Sequence, residues 1–147
     1  MTRLAGLGAA LLVLLAFAGC GGDEHELSKD EFVDQANAVC TEGNEALDAA
    51  FSTAFPDGDP SDEDVKAFMD DTVLPGIRAQ IDEIRALGSP DEIADDVESF
   101  LDGTDARLDE IGAMGAEELF ALVTSGDDPF DALNDSAAEL GLTECSS

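Results

Sequence analysis

From Phe32 onward apolar side chains return at every third or fourth position, and no stretch alternates them with polar ones. A spacing near 3.6 lines such residues along one stripe of a helix, whereas a half-buried strand needs a period of two. The chain is thereby restricted to an all-α architecture. Ser28 followed three residues later by Glu31 is a capping box that starts the first helix. Phe32, Ala36, Val39, Cys40, Gly43, Leu47, Ala50, Phe51 and Ala54 fall on its inner face, with Asp34, Thr41, Glu45 and Asp48 opposite.

The punctuation between helices is equally legible. Phe55-Pro56-Asp57-Gly58-Asp59-Pro60 is a turn-rich break, and Ser61 with Asp62, Glu63 and Asp64 is a second start signal whose acids suit the positive end of a helix. Val65, Phe68, Met69, Leu74, Ile77, Ile81, Ile84 and Leu87 continue the stripe to a stop at Gly88. Pro75 removes one backbone hydrogen bond within it, so a kink or two abutting helices are expected near Val73 and Leu74. Ser89-Pro90-Asp91-Glu92 opens a third helix with proline at its first position. Ile93, Val97, Phe100, Leu101, Leu108 and Ile111 face inward from it, and Asp95, Glu98, Asp102, Asp105 and Asp109 form an acidic outer face. A short helix is expected over Glu117 to Val123. A last one runs from Asp128-Pro129 through Phe130, Leu133, Ala137 and Leu140 to Gly141, a left-handed terminator. The seven phenylalanines after Phe17 are expected mostly in the core. The sum is a bundle of about four helices.

Ahead of this domain, Arg3, the apolar run Leu4–Phe17 and the small residues Ala18 and Gly19 have the layout of an export signal. A membrane-spanning helix needs about 20 apolar residues, more than this run supplies. Phe17-Ala18-Gly19-Cys20 resembles the lipobox of bacterial lipoproteins, with Phe17 where that motif usually carries leucine. The resemblance implies diacylglyceryl transfer to Cys20 and cleavage before it. Ala16-Phe17-Ala18 also reads as the A-x-A site of ordinary secretion, which would leave Cys20 a free thiol. Lipidation is the expectation adopted, with residues 1–19 the cleaved signal peptide, 20–27 a lipidated flexible tether and 28–147 the helical domain. Cys20–Glu26 holds no apolar residue and spans at most about 25 Å, which keeps the domain near the membrane face.

Three cysteines are an awkward number for an exported chain unless one is consumed separately. Lipidation of Cys20 leaves Cys40 and Cys145 to pair in an oxidising compartment, where closing a loop of this length contributes up to about 4–5 kcal/mol. The bundle is therefore expected to be closed by one disulfide. The stretches LSKDEFVDQANAVC at 27 to 40, LPGIRAQIDEIRALGSP at 74 to 90 and DPFDALNDSAAELGLTEC at 128 to 145 resemble small uncharacterised actinobacterial lipoproteins. That resemblance implies a secreted helical bundle with one cysteine in the first helix and another at the far end, and it implies no activity.

Charge excludes whole classes of partner. The chain carries 35 acids against 6 bases, a net charge of −29, and loss of the leader removes Arg3 as well. Binding to nucleic acid or to anionic lipid gains from cationic patches that this chain lacks. Scarce lysine beside abundant aspartate suggests tuning to a salty exterior, an idea that a melting temperature indifferent to molar salt would defeat.

Asp57, Asp59, Ser61 and Asp62 approximate the start of an EF-hand loop, yet Asp62 stands where that loop needs glycine and Phe68 where it needs glutamate. A solvated capping loop is the preferred reading, and the adjacent pairs Asp70-Asp71, Asp95-Asp96 and Asp127-Asp128 read as solvated surface. The sole histidine, His25, lies in the tether, so no nucleophile with a base can be assembled. Trp and Tyr are absent, which removes the usual rings for gripping sugar. No catalytic residue, metal site or cofactor is expected. The domain reads as a non-catalytic envelope lipoprotein on the extracytoplasmic face, with a structural or interaction role. The alternative is a ligand- or divalent-cation-binding module with a groove between helices at the Pro75 kink. An envelope protein, a small ligand and weakly held divalent cations stand as candidate partners, besides the membrane itself.

Overall fold

The computed structural model describes residues 27–56, 58, 60–126 and 128–146; Cys20 and His25, like Asp57, Asp59 and Asp127, lie outside them. The described residues are all helical, without a strand. α1 is Lys29–Ala54, α2 Asp62–Phe68, α3 Leu74–Leu87, α4 Ala94–Gly112, α5 Ala116–Ser125 and α6 Asp131–Leu140, with a π turn at Met69–Val73 and a closing 3₁₀ turn at Thr143–Ser146.

Helix starts follow the local chemistry. At α1 the Ser28 hydroxyl accepts from the Glu31 amide at 3.4 Å while the Glu31 carboxylate accepts from the Ser28 amide at 3.1 Å. Ser61 and Asp64 repeat that box at α2. Two starts fall later than expected. Asp91–Ile93 form a turn, in which the Ile93 amide donates to the Pro90 carbonyl at 3.0 Å, and α4 begins only at Ala94. Likewise Asp128 caps a turn, accepting from the Phe130 amide at 2.8 Å, before α6 begins at Asp131. In both cases proline sits in the lead-in turn instead of the first helical turn.

Pro75 does not break the rod. The Leu74 amide reaches back five residues to the Met69 carbonyl, so a π turn absorbs the register change immediately before the proline, and α2 abuts α3 there. At the far end Gly141 takes φ +87°, and the Leu142 and Gly141 amides donate to the Ala137 and Ala138 carbonyls, a Schellman closure that drives Leu142 into the core.

Four of the helices make a closed ring. α1 packs on α3, α3 on α4, α4 on α6, and α6 on the 3₁₀ turn, which returns to α1. The Cys40–Cys145 disulfide locks that return across 105 residues. Phe32, Ala36, Val97, Leu101, Leu108, Ala137 and Leu142 are almost wholly buried within the ring. α2 and α5 pack on each other as an annex beside it. Here the expected core is thinner: Phe51 is 48% exposed and Ala54 is exposed, and of the seven phenylalanines only Phe32 and Phe100 are buried. The last two turns of α1 run past the ring, so Phe51 meets Phe55 and Phe68 edge-on, with centroids 5.1–5.8 Å apart, and Phe55 and Phe68 are partly buried while Phe51 stays exposed.

Candidate functional site

The ring encloses an open cavity of about 180 Å³, to which all four of its helices contribute. α3 supplies the apolar floor through Ile77, Ile81 and Ile84, and α4 adds Phe100 and Leu101. Leu133 of α6 and Phe130 before it form the facing wall. α6 lies close to α4 here: a Cβ on Gly103 would lie 2.9 Å from Leu133 Cδ2, so a larger residue there would have to push the leucine methyl aside. The disulfide, through Cys40 and Cys145, forms one edge.

Polar groups sit around the cavity instead of in its floor. The Thr104 hydroxyl donates to the Phe100 carbonyl at 2.9 Å and is satisfied within its own helix. The Gln80 side chain lies over Gly43 of α1, where an added Cβ would be 2.2 Å from it. It also borders another groove, beside Leu47 and Gly76. Asp128 accepts from Asn134 Nδ2 at 2.6 Å as well as from the Phe130 amide, so its carboxylate is held in place at the cavity wall.

Asparagines clasp the end of the chain to α1. Asn37 Nδ2 donates to the Gly141 carbonyl and its Oδ1 accepts from the Glu144 amide, both at 3.0 Å, while Asn44 Nδ2 donates to the Glu144 carbonyl at 3.0 Å. Asn37, Cys40 and Asn44 are spaced by three and four residues, one face of a helix. That polar pair flanking an inward cysteine was the available signal, and a search for apolar periodicity alone passes over it.

Two arginines of α3 pair with the acidic outer face of α4. Arg78 Nη2 lies 2.7 Å from Asp109, and Arg85 reaches Asp102 at 2.7 Å and Asp105 at 2.9 Å. The order of pairing shows α3 and α4 antiparallel, with two arginines stitching their seam. The hydrogen bond that Arg85 donates to Asp105, helped by the charges of Asp105 and Glu98 and the bond to Asp102, raises the Arg85 pKa above its ordinary value despite some desolvation. Lys66 pairs with Asp70 and Arg107 with Glu110, so four of the five bases among the described residues are in ion pairs.

Of the residues singled out in the sequence, Cys40 and Cys145 come together, Ser61 is spent on capping, and Cys20, Asp57 and Asp59 lie outside the described residues. The ring cavity lies beside the disulfide, further along α3 than Pro75. Among the described residues no group of three His, Cys, Asp or Glu side chains is placed to hold a metal, and no helix is long and apolar enough to cross a membrane. No family model, no curated protein and no solved structure matches the chain.

Proposed function

We propose that this protein is an exported lipoprotein, anchored by acyl chains on Cys20, whose helical domain acts without catalysis at the outer face of the membrane. The observation that carries the reading is the pairing of Cys40 with Cys145, which leaves Cys20, directly after the apolar leader, as the odd cysteine. A disulfide spanning most of the domain suits an oxidising compartment. The non-catalytic reading draws support from the same chemistry. Both domain cysteines are consumed by each other, and Thr104 is the one buried polar side chain among the described residues. Intact mass of the natively produced protein, before and after reduction, tests all of this. The expected species starts at an acylated Cys20 and gains two hydrogens on reduction, whereas a deacylated chain starting at Gly19 would refute anchoring.

A second reading, an anchored ligand-binding module, is favoured by one observation: the cavity inside the ring, with an apolar floor and polar groups at its edge. Saturable thermal stabilisation by a defined small molecule would select this reading over a purely structural role.

A further inference from the structure

We propose that the ring cavity binds a small organic cation, a single ring or short branched chain bearing an amine. The apolar part would lie among Ile81, Phe100 and Leu133, with its ammonium at Asp128. Size sets the first limit. A cavity of about 180 Å³ is close to the roughly 150 Å³ known to admit one benzene, so one ring fills it. Charge sets the second. Asp128 is the one ionisable side chain lining the cavity among the described residues, the two cysteines being joined to each other. Its two oxygens are fixed by the Phe130 amide at 2.8 Å and Asn134 Nδ2 at 2.6 Å, and each keeps a lone pair for a further donor.

The surroundings favour the same sign. The base nearest this loop, Arg107, donates to the Pro129 carbonyl at 2.9 Å and pairs with Glu110, and it does not line the cavity. A net charge of −29 concentrates cations at the surface and repels anions. Gln80, Asn44 and Asn134 are the amides among the lining residues, and none of them carries a charge to oppose a cation. An ammonium brings three donors to this rim, where an alcohol brings one and a carboxylate none.

This inference rests on the ligand-module reading and is independent of anchoring. The test titrates the full chain carrying Cys20→Ser, disulfide intact, with benzylammonium, benzyl alcohol and benzoate, following the resonances of Ile81, Phe100 and Leu133. Benzylammonium is expected to bind saturably, about tenfold tighter than benzyl alcohol, with benzoate silent. Asp128→Asn, which keeps an oxygen for the Phe130 amide, should erase that preference by bringing benzylammonium down to the affinity of benzyl alcohol. Leu133→Trp should fill the cavity and abolish both, with helicity by circular dichroism unaltered. Equal binding of the alcohol and the amine, or a preference that survives Asp128→Asn, overturns the proposal while leaving an apolar ligand site. No saturable binding by any probe overturns the proposal and the module reading together.

Discussion

The ring and the annex are built from similar residues and hold together by different means. In the ring, α4 alone buries Val97, Phe100, Leu101, Thr104, Leu108 and Ile111, and a disulfide, an asparagine clasp and an arginine seam reinforce the packing. In the annex α2 and the π turn bury nothing fully and α5 buries only Leu119. Equivalent apolar periodicity therefore yields a core only where a second helix covers the stripe. The phenylalanines make the point: Phe32 is fully buried in the ring, while Phe51, five turns along the same helix, is half exposed.

Opening the ring should have the largest effect. Reduction, or Cys40→Ala with Cys145→Ala, is expected to cost up to about 5 kcal/mol and lower the melting temperature by on the order of 10–20 °C, measured by calorimetry. Next, Phe32→Ala should cost about 3–5 kcal/mol in chemical denaturation. Phe51→Ala should stay below about 1 kcal/mol, and equal losses at the two sites would erase the distinction between the regions. Asn37→Ala removes both of its bonds to the returning chain. A loss of about 1–3 kcal/mol is expected, with faster hydrogen exchange at Leu142 and Cys145 but not at Leu119. Smallest is Arg85→Met, expected to cost about 1 kcal/mol or less and to do so mainly at low salt. Because the Arg85 pKa is raised on folding, its contribution is fully present below the unfolded pKa and fades only in strong alkali. The cost of Arg85→Met should thus be constant across neutral pH.

The helices, most of their boundaries and the disulfide were legible because each rests on a local cue: a capping box, a glycine stop, or an odd number of cysteines. What escaped depended on neighbours. The stripe through Phe51 and Ala54 has the right period, yet no sequence cue says that the ring ends before it. Asp105 and Asp109 look like solvated charge until Arg78 and Arg85 arrive from another helix. Asp128 reads as half of an acidic pair, and its role emerges only once Phe130 and Asn134 fold around it. The cavity was beyond reach for the same reason, since it is the gap left where four helices fail to meet.

The clasp also sets the order of events in folding. α1 is made first, and the 3₁₀ turn that covers its inner face is made last, more than a hundred residues later. A nascent chain must keep Cys40 unpaired for that whole interval. Such a long-range closure slows assembly and exposes the intermediate to mispairing and aggregation.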